Sequence, residues 1–432
     1  MGLFETSQMA VSSHLNLEFF RDIFQSVEPD ILIDTYEEEP GSGRGDNYTA
    51  TLYRIHLNGQ RRLIDNKTQR WEKSLICKRL PENIHLREAY KSDKLFRNEV
   101  EFYMTIMPEL LQFQVTKTTE VFKAIPECYY ARSDLLIMED LRVRGFQMPD
   151  RKQGLTLNET QLVLQKVAHF HALSLSYKFE KPAQFENFRK LTTEGLFCKD
   201  NETWYKNYYD KLLESAIEMV SDVLAENSKY LKALKGFAES STFFSNMVDM
   251  VNEDTNLTAL CHGDCWANNF LYRYELDADG QKQLMEVCLV DFQLIRYGSI
   301  ALDVTNLLFC CTSKTMRDQH LEELIQLYTD EIYRWLKILC NNIPEYCNRR
   351  EKFQELFRQE LKAFGRFALG LSLDIIPIST CSSEDAPDMF ENKRCEGLES
   401  KIGAPELNFP PNELCRQKMS EILIDLVDNG ML

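Results

Sequence analysis

The sequence predicts an α+β fold of two lobes, a strand-rich N-terminal lobe over residues 1–140 and a larger, mainly helical C-terminal lobe over 141–432. Three observations predict it. At 432 residues the chain exceeds what one compact core usually holds. Its first third carries short segments rich in β-branched, aromatic and aliphatic residues. Beyond Asp140 the apolar residues recur mainly at helical, 3.6-residue spacing.

Taken in order, strands are expected at Ile31 to Glu37, Tyr48 to Leu57 and Ser74 to Leu80. Gly41-Ser42-Gly43-Arg44-Gly45-Asp46 is a flexible turn between the first two, and Asn58 to Lys73 reads as a polar, charged connection. A helix follows over Lys91 to Met107, where Phe96, Val100, Tyr103 and Met107 form one apolar face. Leu135 to Met138 is a strand that ends at Glu139-Asp140. Thr156 and Glu159 make a capping box for a helix running to about Tyr177. Further helical periodicity covers Trp204 to Val223, Met316 to Leu339 and Arg350 to Leu371, and a last helix runs from Asn412 to Asn429-Gly430. Two strands, Asn269 to Tyr274 and Leu284 to Val290, flank a hairpin turn at Asp277-Ala278-Asp279-Gly280. The glycine of that turn comes too early for a calcium-binding EF-hand loop.

Lys plus Arg total 50 against 67 Asp plus Glu, a formal charge of −17. Such an acidic chain argues against nucleic-acid partners and against anionic membranes, both of which call for clustered Lys and Arg. Thirteen scattered cysteines without a C-x-x-C pair fit neither a zinc ribbon nor a complete disulfide framework. Reduced thiols in a cytoplasmic protein are expected. Met1 to Val11 lacks the pattern of a signal peptide, and no apolar run approaches the roughly 20 residues of a membrane span. The Asn47 to Thr49 and Asn66 to Thr68 sequons then count as chance matches, and Met1-Gly2 with Thr6 fits the loose myristoylation pattern without a basic cluster to support it. No obligate protein partner is evident.

The chemistry concentrates in His262-Gly263-Asp264-Cys265-Trp266-Ala267-Asn268-Asn269 and in Val290-Asp291-Phe292-Gln293. Phosphoryl transfer needs a positioned hydroxyl, a carboxylate to receive its proton, and a metal ion to offset phosphate charge. Asp264 on a loop supplies such a carboxylate. Asn269 and Asp291, which ends the next apolar strand, offer oxygen ligands of the kind Mg2+ takes. A lone H-G-D is an ordinary turn; here the loop, the asparagine, the hairpin and the later aspartate occur together. Lys78 is one cation among apolar neighbours on a strand, and Glu99 edges the buried helix face while Glu101 points away. A carboxylate at such an edge calls for a cation, because an unpaired buried charge is expensive.

The H-x-D-x-x-x-x-N loop with its later Asp-Phe resembles the aminoglycoside phosphotransferase and choline kinase superfamily, and its wording resembles more narrowly the ecdysteroid kinase-like family. Matching motifs run from Gly41 to Asp303. The resemblance implies a bilobal protein-kinase-like fold and ATP with Mg2+ as cofactors. It implies Asp264 as catalytic base, Asn269 and Asp291 as metal ligands, and Asp303 as the carboxylate bracing the catalytic loop. His262 would pack under the metal-binding strand. The Lys78–Glu99 pair resembles the ion pair that positions ATP phosphates. The glycine loop, with Gly43 and Gly45, resembles a phosphate-covering flap; lying between two strands, it fits neither a Rossmann nor a P-loop geometry. Met138-Glu139-Asp140-Leu141 looks like the hinge, an extended linker offering Glu139 C=O and Leu141 N–H to adenine.

The expected activity is ATP-dependent phosphorylation of a hydroxyl on a small molecule, with an ecdysteroid or similar polycyclic or xenobiotic alcohol as acceptor. A choline- or ethanolamine-type acceptor is the alternative among enzymes, and a nucleotide-binding pseudokinase the alternative outside them. Trp204, Tyr205, Tyr208 and Tyr209 cluster at a helix start, where a core role outweighs a ligand wall. Cys265, Cys310 and Cys311 near the catalytic loop are read as packing residues.

Overall fold

The computed structural model describes residues 15–41, 50–64, 67–239, 242–382 and 411–432. Helix α1 (Leu17–Val27) starts where Asn16 caps it, the Asn16 side chain accepting from the amide of Phe19 at 2.8 Å. Strands β1 (Ile31–Pro40), β2 (Thr51–Arg62), β3 (Thr68–Arg79), β4 (Cys128–Arg132) and β5 (Leu135–Glu139) form an antiparallel sheet ordered β1-β2-β3-β5-β4. Side chains alternate across this sheet. Ile55, Leu57, Leu75, Cys77 and Ile137 go to one face, under Phe20 and Phe24 of α1. Leu52, Arg54, Ile76 and Lys78 go to the other and line a cleft.

Asn58 to Lys73 is not a connection. β2 and β3 stay paired from Leu57↔Lys73 through Gly59↔Trp71 to Arg62↔Thr68, so the polar stretch is a long hairpin. Cross-strand hydrogen bonds satisfy its backbone, and its mostly exposed side chains carry no apolar alternation to betray it. The residues of the glycine loop beyond Gly41, including Gly43 and Gly45, lie outside the described residues, as do Gly2 and the Asn47 and Asn66 sequon positions.

Between β3 and β4 come α2 (Ile84–Ala89), α3 (Ser92–Glu101), a π-helical turn over Phe102–Ile106 and α4 (Met107–Val115). The helix expected over Lys91 to Met107 therefore starts one residue later, changes pitch at Phe102 and continues past Pro108, which sits harmlessly in the first turn of α4. The hinge, too, is less extended than expected. Met138 and Glu139 end β5 and Asp140 is extended, but Leu141 already turns: the Asp140 carboxylate caps a 3₁₀ turn over Leu141–Arg144 by accepting from Arg142 N at 3.2 Å.

The rest of the chain is mainly helical. β6 (Phe146–Gln147) leads to α5 (Leu157–Glu180), which opens with the expected Thr156–Glu159 capping box. After α6 (Pro182–Leu191), α7 (Glu202–Ser221), α8 (Lys229–Phe237) and α9 (Phe243–Asn252) come β7 (Thr258–Cys261), β8 (Phe270–Leu276), β9 (Lys282–Leu289) and β10 (Arg296–Ser299). β8 pairs with β6 on one side and β9 on the other in one small sheet, and β7 pairs with β10 in another. α10 (Ala301–Cys311), α11 (Lys314–Leu339), α12 (Arg350–Phe364), α13 (Arg366–Thr380) and α14 (Glu413–Asp428) complete the core. The helix expected over Arg350 to Leu371 is thus two helices. Gly365 separates them, and a Cβ there would meet the Met431 side chain at 2.6 Å, so the joint lets the chain end pack against it. Among the described residues the cysteines are free thiols, and no helix is long and apolar enough to cross a membrane.

The aromatic cluster opening α7 is mostly core. Tyr205 and Tyr209 are buried, while Tyr208 donates its hydroxyl to Asp374 of α13. Trp204 lies under the Lys91 ammonium, 3.6 Å from the ring centroid. Burial pushes the Asp374 carboxyl up to about 6, against the hydroxyls of Tyr208 and Tyr209. A carboxyl raised on folding binds its proton more tightly in the folded chain, so stability falls as pH rises towards 6. Asp374→Asn removes that loss. Its melting temperature relative to wild type should therefore rise between pH 4.5 and 7.5, by the equivalent of about 2 kcal/mol; a pH-independent difference would contradict this.

Candidate active site

The inner face of the sheet, the hinge and the β8–β9 hairpin enclose a cleft of about 680 Å³. Lys78 enters it from β3, with only 3% of its side chain exposed. Its ammonium donates to Glu99 Oε2 of α3 at 2.5 Å and to Asp291 Oδ1 at 2.8 Å. Burial alone would lower the Lys78 pKa, but the two carboxylates outweigh it and hold the amine charged. Glu99 responds in the opposite sense. Burial pushes its carboxyl up to about 7; Asp291 adds to the rise, and Lys78 and the amide of Phe292 oppose it.

The His262–Asn269 loop leaves β7 and is held from below by α10. Both oxygens of Asp303, in the first turn of α10, accept loop amides: His262 N on Oδ2 at 2.6 Å and Gly263 N on Oδ1 at 2.9 Å. Burial alone would raise the Asp303 pKa, but His171, His262 and the Gly263 amide keep it below the usual carboxylate range. His171 Nε2 lies 3.1 Å from Asp303 Oδ2, and its Nδ1 lies 2.6 Å from the Tyr328 hydroxyl. His262 Nε2 lies 3.0 Å from Val290 O, which ties the loop to the strand end before Asp291.

Asp264 faces Asn269, whose Nδ2 donates to Asp264 Oδ2 at 2.9 Å and to its backbone O at 3.0 Å. Burial, then the charge of Asp291, pushes the Asp264 carboxyl up to about 7, while Asn269, Arg296 and Trp266 pull it down. Asn269 and Asp291 are neighbours across the hairpin. Phe270 pairs with Leu289, and Val290 N donates to Asn269 O at 3.0 Å. Both side chains line the cleft, and both carry an oxygen suited to a hard cation. With the amide nitrogen of Asn269 committed to Asp264, its Oδ1 points to the other side. Asp291 itself adopts a left-handed conformation at φ 66°, a region where non-glycine residues are uncommon and which clusters at functional sites.

Aromatic stacking links these parts. Phe292 lies flat on Phe102 of the π turn, 3.7 Å between centroids, and 4.4 Å from the His262 ring. Asn98 of α3 donates to Gln293 O at 3.1 Å and to Thr193 O at 2.8 Å.

The structure thus brings Lys78, Glu99, Asn269 and Asp291 to one cleft, with Asp264 bonded to Asn269 at its edge and His262 and Asp303 beneath. Glu139 and Leu141 line the same cleft at the hinge. Sequence reasoning missed Arg54, which is buried on β2, lines the cleft and binds Asp140 of the hinge at 2.8 Å. An arginine in an amphipathic strand carries no mark of that partner, 86 residues away. It also missed His171, hidden in a helix that is apolar on most sides, and it did not foresee that Tyr103, buried with the core as expected, also lines the cleft.

Gly263 has φ +87°, and a Cβ there would stand 1.8 Å from Leu294 O. Gly280, in the hairpin turn, has φ +76° but open space around it. Gly280→Ala should cost only the backbone strain, roughly 1–2 kcal/mol. Gly263→Ala adds a backbone collision and should lose more than twice as much in chemical denaturation; equal losses would contradict the close approach.

A family model described as the ecdysteroid kinase-like family matches residues 44–341. Among curated proteins none matches this chain. Among solved structures the chain is similar to an ethanolamine kinase of Plasmodium vivax, with 10% identity, 96% of this chain and 88% of that one covered, and a TM-score of 0.42. It is also similar to a mutant aminoglycoside 2'-phosphotransferase-IIIa in complex with GDP, with 16% identity, 83% and 91% covered, and a TM-score of 0.35. The match over residues 44–341 places the chain in the ecdysteroid kinase-like family, as a small-molecule kinase that transfers phosphate to a hydroxyl group.

Proposed function

We propose that this protein phosphorylates a hydroxyl of an ecdysteroid or similar polycyclic alcohol, using ATP and Mg2+. The observation that carries the reading is the meeting of Lys78, Glu99 and Asp291 with the Asp264–Asn269 loop at one cleft. In this reading residues 1–140 form the nucleotide lobe and 141–432 the catalytic and acceptor lobe of a cytoplasmic enzyme with no obligate protein partner.

Each residue has a task set by its place. Glu139 C=O and Leu141 N–H hold the adenine edge at the hinge, and Gly43 and Gly45 belong to the loop that covers the phosphates. Lys78, kept charged by Glu99, contacts the α- and β-phosphates. Asn269 Oδ1 and the Asp291 carboxylate hold Mg2+, which when bound offsets the phosphate charge. Asp264 accepts the proton of the acceptor hydroxyl as its oxygen bonds to the γ-phosphorus and the bond to ADP breaks. Asp303 and His262 keep the Asp264 loop rigid while this occurs. The family supports the steroid acceptor.

The test is transfer of labelled γ-phosphate from ATP to a panel of steroids, choline and plant glycosides. A steroid with a side-chain hydroxyl should be the best acceptor, and Asp264→Asn should lower turnover by about 10²–10⁴-fold while nucleotide binding persists. Higher kcat/KM with choline would reassign the acceptor class. Undiminished turnover in Asp264→Asn would remove Asp264 as base.

A further inference from the structure

The π-helical turn over Phe102–Ile106 begins three residues after Glu99. Such turns are rare and are frequent at functional sites. Here it directs two adjacent rings to different places. Phe102, fully buried, stacks on Phe292, whereas Tyr103 lines the cleft together with Glu99, Met138 and Glu139. Tyr103 is only 6% exposed, and among the described residues its hydroxyl has no hydrogen-bond partner. Glu99 shares this state on the preceding turn of the helix. Its Oε2 takes the Lys78 ammonium, while among the described residues its buried Oε1 has no hydrogen bond of ordinary geometry, either from Tyr103 or from the Phe292 amide that acts on the carboxyl. Buried polar atoms are rarely left so, and two on one wall of a ligand cleft mark a place where a ligand completes the bonding. Burial, with the charge of Glu99 next, keeps the phenol firmly protonated, so it has a hydrogen to donate as well as lone pairs to accept.

We propose that Tyr103 reads the exocyclic 6-amino group of the purine: the amine donates to Tyr103 Oη, and the phenol passes its own hydrogen to Glu99 Oε1. The inference rests on the nucleotide-binding reading above and adds the base selectivity of the site. Met138 and Glu139, which share the cleft with Tyr103, are the residues where the strand meets the hinge, so the edge of the base and this wall are adjacent. The chain of bonds links the base to the Lys78–Glu99 pair, with each donor facing an acceptor. A 6-oxo purine breaks it. Its oxygen takes the phenol hydrogen for itself and leaves Glu99 Oε1 without a donor. A purine with only hydrogen at position 6 offers Tyr103 nothing.

Equilibrium binding of ATP, ITP and purine riboside triphosphate, each with Mg2+, to the full chain and to Tyr103→Phe tests this. Wild type should bind ATP about tenfold more tightly than purine riboside triphosphate, the worth of one well-made hydrogen bond to a buried group. Tyr103→Phe should bring that ratio to about twofold, chiefly by weakening ATP. A variant that keeps the wild-type ratio would overturn the inference while leaving nucleotide binding intact. Should the variant fail to fold, equal wild-type affinity for ATP and purine riboside triphosphate would still overturn it, because the 6-amino group would then make no bond that counts. No binding of any of the three by wild type would overturn the nucleotide reading and this inference with it.

Discussion

A single ammonium, almost wholly buried between two carboxylates, is the constraint on which the site depends. Lys78 stands on the sheet, Glu99 on the helix beside it, and Asp291 at the end of a strand in the helical region. Losing either carboxylate leaves an ill-compensated charge in a low-dielectric cleft, so the three segments are held in one arrangement. The balance is uneven. Two carboxylates share one cation, and burial together with the charge of Asp291 raises the Glu99 carboxyl. Further positive charge delivered to Asp291 would relieve that imbalance, as the proposed Mg2+ site requires.

The loop bearing Asp264 is placed by different means. It needs no side-chain contact with the sheet, because Asp303 gathers two of its backbone amides and His171 keeps Asp303 charged. Gly263 lets the loop pass against Leu294 O, where no other residue fits. Phe292, stacked on Phe102 and set against the His262 ring, then packs the helical segment that follows Glu99 against the loop that bears Asp264.

Much of this arrangement is legible in the sequence, because the residues lie in local patterns. The apolar stripe of Phe96, Val100 and Met107 puts Glu99 at a buried edge, and strand alternation puts Lys78 on the face opposite Cys77. The hairpin that brings Asn269 beside Asp291 is announced by its Asp-Ala-Asp-Gly turn, whose Asp277 accepts from the amides of Asp279 and Gln281. What escaped has no local signature. The polar half of the β2–β3 hairpin is fixed by pairing rather than by burial. The Arg54–Asp140 pair and the His171–Asp303 contact join residues far apart in the chain. The π turn at Phe102 changes no helix propensity, so a 3.6-residue count shows Tyr103 as core but not that it also borders the cleft.

The most direct measurement is a double-mutant cycle on the central pair, read as nucleotide affinity by titration calorimetry. Lys78→Ala and Glu99→Ala are each compared with wild type and with the double variant, all with Mg2+ present. If Lys78 and Glu99 position the nucleotide as one pair, the second substitution should cost far less in the background of the first. The coupling predicted is on the order of 0.5–3 kcal/mol. Strictly additive losses, or full affinity in both single variants, would mean that the buried pair does not position the nucleotide, and the account would fail at its centre.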